Sequence, residues 1–138
     1  MVSENIKKQF VEFIKLQGFD DQYIDRQEEK KILNVGVKNG LSVEASLALI
    51  TEIAQEQNLV LERDAEERVK TALEQAATND GQVDKKEFEQ AIELFRTATK
   101  GKLLDAELKK RAKQIMLDNG WKAKEGGLFG TKWFSAID

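Results

Sequence analysis

Apolar residues recur at helical spacing along almost the whole chain. Ile6, Phe10, Phe13 and Ile14 form a first stripe that ends near Gly18. Ile32, Leu33 and Val37 form a second, with Asp25 placed to start a helix and Gly40 to stop it. Ser42 fits the N-cap of a third, whose face carries Val43, Leu47, Ile50 and Ala54. Ala65, Val69, Ala72, Leu73 and Ala76 mark a fourth. Phe88, Ile92 and Phe95 mark a fifth, from Asp84 to about Lys100. Leu104, Leu108, Ala112 and Ile115 mark a sixth, closed by Asn119 and Gly120. Each stripe follows the i, i+3, i+4, i+7 template, with Ser or Asp at starts and Gly at stops. No long apolar–polar alternation competes. The pattern predicts an all-α fold: a single compact domain of about six helices, spanning residues 1–120.

The last residues break the pattern. From Trp121 to Phe134 the chain holds four aromatics and several glycines. A short hairpin turning at Gly126 and Gly127 fits this composition. So does an irregular strap. We expect residues 121–138 to pack on the domain through Trp121, Phe129, Trp133 and Phe134, because large aromatics bury well. The alternative is an exposed anchor for a partner or a membrane surface.

The chain also repeats itself. Ile24, Asp25 and Glu28 match Val83, Asp84 and Glu87, 59 positions later. After each copy come a helix, a glycine (Gly40 or Gly101) and another helix. Two related helical hairpins explain this. Gln22 stands in the first copy where Gly81 stands in the second, and Asp21 is the first copy's lone early carboxylate.

Composition narrows the chemistry. The 138 residues are 41% hydrophobic and 34% charged, as in a folded globular chain rather than a disordered one. There is no cysteine and no histidine. That removes disulfides, the thiol nucleophile, the commonest general base and the commonest transition-metal ligand. The N-terminus lacks the apolar core of a secretory signal, and no apolar run approaches bilayer length. A cytoplasmic location is the expectation. Proline is absent, so no X-Pro kink marks a boundary.

Residues 76–87 carry the one hint of metal chemistry. Gly81 sits where a helix–loop–helix calcium loop turns, and Glu87 sits where its bidentate carboxylate belongs. Asp80, the Gln82 carbonyl, Asp84 and Glu87 would be the calcium ligands, with Thr78 adding a hydroxyl. The first loop position is Ala76, which has no ligand oxygen in its side chain. Any Ca2+ held here is therefore expected to bind weakly, and no other cofactor is indicated. The same Asp-x-x-Glu spacing also makes a capping box, in which Asp84 accepts from backbone N–H and Glu87 reaches back. Asp25 and Glu28 fit that reading equally. Spacing alone favours the cap.

The stretch from Ala77 to Glu87 is similar to a degenerate EF-hand. It also resembles the tellurite-resistance TerB-like helical domains, whose helices are introduced by an A-D-G-x-I/V-x-x-x-E pattern. Asp80, Gly81, Val83 and Glu87 match it, and Asn79 replaces the alanine. The resemblance implies an all-helical module with two related halves. It implies a non-enzymatic role in stress response or signalling, with an acidic face that binds metal ions or partners.

Charge is uneven along the chain. From Arg96 onward there are ten Lys/Arg and five Asp/Glu, a net of +5 against −3 for the whole. Lys109, Lys110, Arg111 and Lys113 cluster on one helix, and Lys122, Lys124 and Lys132 lie among the tail aromatics. Solvated helix faces explain such clusters best. A pI near 5.2 argues against a nucleic-acid partner. Three readings follow: a non-catalytic protein-binding or regulatory module tuned by a divalent cation, a purely structural scaffold without a metal, and, last, a carboxylate- and metal-dependent hydrolase.

Overall fold

A computed structural model describes residues 4–18, 22–125 and 132–138. The fold is all-α, with six helices and four two-residue strands among the described residues. The chain divides into two compact units between Arg63 and Asp64. The division falls in the first turn of a helix. Each unit has a core of its own.

In the first unit, α1 (Glu4–Gln17) leads to β1 (Tyr23–Ile24), α2 (Arg26–Lys38), α3 (Val43–Glu56) and β2 (Val60–Leu61). In the second, α4 (Glu62–Ala77) leads to β3 (Gln82–Val83), α5 (Lys85–Ala98), α6 (Asp105–Asp118) and β4 (Lys122–Ala123). The order helix, strand, helix hairpin, strand occurs twice. Within each unit the two short strands pair in parallel. Tyr23 and Ile24 face Val60 and Leu61; Gln82 and Val83 face Lys122 and Ala123. The tail strand thus joins the loop before α5. The hairpin turn expected at Gly126 and Gly127 lies outside the described residues, as does Phe129.

The backbone of the repeat agrees in detail. Gln22 has φ 56° and Gly81 has φ 72°, so both stand in the left-handed region that favours glycine. Gln22 N–H donates to the Gly18 carbonyl at 3.0 Å, and Gly81 N–H to the Ala77 carbonyl at 2.8 Å. The same two residues then accept from the partner strand, from Val60 N–H at 2.8 Å and Lys122 N–H at 2.9 Å.

Helix ends repeat as well. Residues Gly40, Asn58, Lys100 and Gly120 all have positive φ just past α2, α3, α5 and α6. After each, an N–H reaches back to the carbonyl five residues earlier, at 2.8–3.1 Å: Leu41 to Gly36, Leu59 to Ala54, Gly101 to Arg96 and Trp121 to Met116. This is the Schellman closure, which satisfies carbonyls that a helix end leaves without partners.

The first core gathers Phe10, Ile14, Ile24, Ile32, Ile50, Ile53 and their neighbours. The second gathers Val69, Leu73, Val83, Phe88, Phe95, Leu108, Met116 and Phe134. In the first core Phe10 lies over Gly36; the repeat places Val69 and Phe95 at those two positions. The phenylalanine has moved from the first helix of the unit to the second, and a valine stands where the first unit has the phenylalanine.

Candidate functional site

The acidic loop between α4 and α5 is the place where the sequence put its chemistry. Four of its candidate ligands, Thr78, Asp80, Asp84 and Glu87, have a local hydrogen-bond partner. Thr78 Oγ1 donates back to the Glu74 carbonyl at 2.9 Å, over the last turn of α4. Asp80 is exposed, and its Oδ1 accepts from Gln82 N–H at 3.0 Å, an Asx turn that Gly81 completes. Glu87 N–H donates to Asp84 Oδ1 at 2.7 Å, while Asp84 N–H donates to Glu87 Oε1 at 3.0 Å. That is a full capping box on α5.

Asp80, Asp84 and Glu87 therefore each have an oxygen held by a backbone N–H of their own loop. Gln82, whose carbonyl was the seventh-position candidate, lies in β3 opposite Lys122. Gly81 and Val83 carbonyls on either side accept from Lys122 and Lys124 N–H, at 2.9 and 2.7 Å. Among the described residues, no three His, Cys, Asp or Glu side chains are grouped as a metal ion would need. The first unit makes the same box on α2: Glu28 N–H to Asp25 Oδ1 at 2.8 Å and Asp25 N–H to Glu28 Oε1 at 3.2 Å.

A second polar site, which the sequence reading missed, lies in the first unit. Glu62 and Glu29 are both buried. Tyr23 donates its hydroxyl to Glu62 at 2.5 Å, and Arg26 N–H, at the first position of α2, points to the same carboxylate at 3.4 Å. Glu29 receives Arg63 Nε at 3.0 and 3.1 Å. Burying these carboxylates is tolerable because each is hydrogen-bonded. The repeat itself held the signal. Glu29 corresponds to Phe88, and a charged residue at a core position announces a buried partner.

In the second unit the equivalent corner is aromatic. Phe88 meets Trp133 at a 5.1 Å centroid distance and Phe134 at 6.3 Å, edge to face. Phe134 is buried, and Trp121 and Trp133 are half-buried against the same core. The tail is fixed from three sides. Glu125 accepts from Phe134 N–H, Ser135 N–H and the Ser135 hydroxyl at 3.1, 3.0 and 2.8 Å. Lys113 donates to the Phe134 and Ile137 carbonyls at 3.2 and 2.8 Å, and lies over the Phe134 ring. Trp133 Nε1 donates to the Lys124 carbonyl at 3.3 Å. Hydrogen bonds from the Ser135 backbone and hydroxyl hold the Glu125 carboxyl below its ordinary range.

Part of the basic cluster is likewise structural. Arg111 pairs with Glu107 at 2.9 Å and with Glu66 of α4 at 3.2 Å. That guanidinium holds the Glu107 carboxyl below its ordinary value. Arg96 pairs with Glu93 and with Asp105, the latter at 2.8 Å. Lys109 and Lys110 stay exposed, and they line a groove of about 480 Å³ between α6 and the tail turn. A second groove of about 370 Å³ runs between α1 and α3, floored by Val11, Leu49 and Ile53. No helix among the described residues is long and apolar enough to cross a membrane.

Comparison with family models, with curated proteins and with solved structures finds no significant match.

Proposed function

We propose that the protein is a non-catalytic binding module that acts through protein–protein contact. The observation that carries this reading is the double capping box. The Asp–Glu pairs of both units are engaged by backbone N–H groups at helix starts. Residues so engaged build helices rather than perform acid–base chemistry. What the helices present outward includes large apolar side chains, among them Leu16, Leu104 and Leu117 at 69%, 81% and 54% exposure. The TerB-like resemblance of residues 77–87 supports a role in stress response or signalling.

Calcium enters as a weak modulator at most. One oxygen of Asp84 and one of Glu87 are taken by N–H groups at the start of α5, and position one, Ala76, offers no side-chain oxygen. Isothermal titration with Ca2+ should give an affinity no tighter than about 10⁻⁴ M, the weak end of such loops. Micromolar binding abolished by Glu87→Gln would make the chain a calcium sensor instead.

The binding reading is tested by affinity capture followed by reconstitution. A captured partner, purified separately, should co-elute with this chain in size-exclusion chromatography. If no purified candidate forms a complex, the structural-scaffold reading takes its place.

A further inference from the structure

We infer that Asn39 and Asn119, the C-caps of α2 and α6, are the chain's sites of spontaneous deamidation, each held in check by the closure of its own helix end. Each is followed by a glycine, Gly40 or Gly120. No side chain stands beside a glycine nitrogen, so it is the backbone amide best able to attack a neighbouring carboxamide. The other asparagines, Asn5, Asn34, Asn58 and Asn79, precede Ile6, Val35, Leu59 and Asp80, whose side chains crowd that attack. Both Asn–Gly pairs are exposed, and nothing lies within 4 Å of where a Cβ of either glycine would stand, so water reaches them.

The reaction needs only the chain and water. The glycine nitrogen gives up its proton and bonds to the asparagine Cγ. The Cγ–Nδ2 bond breaks, and Nδ2 leaves as ammonia with that proton. A five-membered succinimide remains. One water then opens the ring. Opening at the side-chain carbonyl leaves aspartate; opening at the main-chain carbonyl leaves isoaspartate, whose main chain is one carbon longer.

The folded geometry opposes the first step in three ways. Asn39 and Asn119 have ψ 13° and 2°. With ψ near zero the glycine nitrogen eclipses the asparagine's own nitrogen, a third of a turn about the Cα–C bond from Cβ, and the ring cannot close. The carboxamide is also drawn back along the helix, where Nδ2 donates to the Val35 or Ile115 carbonyl, each at 2.7 Å. The proton that must leave is engaged as well: Gly40 N–H donates to Val37 at 3.1 Å and Gly120 N–H to Leu117 at 3.2 Å. Fraying of the helix end releases all three together. Buried Leu41 and half-buried Trp121, whose N–H groups complete the two closures, hold the ends shut. Reaction then damages the helix that guarded it. The product carboxylate stands at the negative end of the helix dipole and replaces a donor to Val35 or Ile115 with an acceptor.

The test ages the full chain in mildly alkaline heavy-oxygen water, with and without urea, and maps the label by peptide mass spectrometry. In urea the label should enter first at Asn39 and Asn119, as aspartate and isoaspartate together. Without urea both sites should convert slower by about tenfold or more, the factor that two net hydrogen bonds supply. In the folded protein Leu41→Ala should speed Asn39 alone and Trp121→Ala should speed Asn119 alone, while in urea both variants should match wild type. If Leu41→Ala does not fold by circular dichroism, Trp121→Ala, at the less buried position, decides. Asn119→Asp, the product, should melt below wild type. Label entering another asparagine first, or neither site in urea, overturns the assignment. Equal rates with and without urea overturn the protection. A Trp121→Ala variant that speeds both sites equally overturns the local gate, and an unchanged melt of Asn119→Asp overturns the damage.

Discussion

Ser46 is fully buried on α3, and its hydroxyl has no hydrogen-bond partner. It faces Gly36 of α2, where any Cβ would run into Ser46 Oγ and come within 3.0 Å of the Phe10 ring. The small pair lets α2 and α3 approach closely beneath a phenylalanine. A desolvated hydroxyl without a partner is costly, so Ser46→Ala should raise stability by about 1 kcal/mol. Gly36→Ala should lower it by about 1–3 kcal/mol, because overpacking outweighs the ~1 kcal/mol gain in helix propensity. Combined with Ser46→Ala, the Gly36 substitution should cost less, since one of its two obstacles is gone. Urea denaturation of the four proteins closes this cycle; a destabilised Ser46→Ala would show that the hydroxyl is satisfied after all. None of this is legible in the sequence, where Ser46 lies off the expected stripe. Periodicity located α3 but shifted its phase. Val43 is 51% exposed, while Ser46, Leu49 and Ile53 face the core beside Ile50 and Ala54. Val37 and Leu104 lie at helix ends, where the stripe runs past the edge of the core.

Elements were more legible than faces. The six helices, their Asp25, Ser42 and Asp84 starts, and the Asn119–Gly120 stop all stand where spacing and caps place them. Local rules govern these features, and local rules can be read from a sequence. The parallel strand pairs were not legible, because two residues give no period and their partners lie 37 and 40 positions away. The tail depended on such distant contacts too: Phe134 is buried as expected, but its support comes from Glu125 and Lys113. Glu125 gives a pH prediction. Its carboxyl is held low in the folded protein by Ser135 and Phe134. A depressed folded value contributes stability above the unfolded value, near 4.5. That contribution is lost as pH falls through the lowered folded value. Acidification from pH 6 to about 3 should thus loosen the 132–137 turn, seen as a change in Trp133 emission. Glu125→Gln should show the altered emission already at pH 6 and a flatter acid response. Identical profiles for both proteins would mean that the three bonds to Glu125 do not hold the turn.

At the scale of the molecule, the chain is one helical unit used twice, with different solutions to the same packing problem. The corner between the first strand and the helix it introduces is filled by Tyr23, Glu29, Glu62 and Arg63 in one unit and by Phe88, Trp133 and Phe134 in the other. In the first unit α4's own first residues close the corner; in the second the tail turn does. The capping boxes alone are conserved between units in residue type, partner atoms and distance. This predicts energetic equivalence. Asp25→Ala and Asp84→Ala should each destabilise by about 0.5–2 kcal/mol, the usual value of an N-cap, and by similar amounts. The boxes share no residue, so the double variant should cost the sum within about 0.5 kcal/mol. Differential scanning calorimetry and urea titration of the wild type and three variants would measure this. A larger cost at Asp84 than at Asp25 would show that the site with Gly81, rather than Gln22, is the stronger helix start. A double variant milder than the sum would show that the two starts depend on one another. A wild type that melts in two transitions, each moved by one substitution, would make the units independent folding bodies that share a helix.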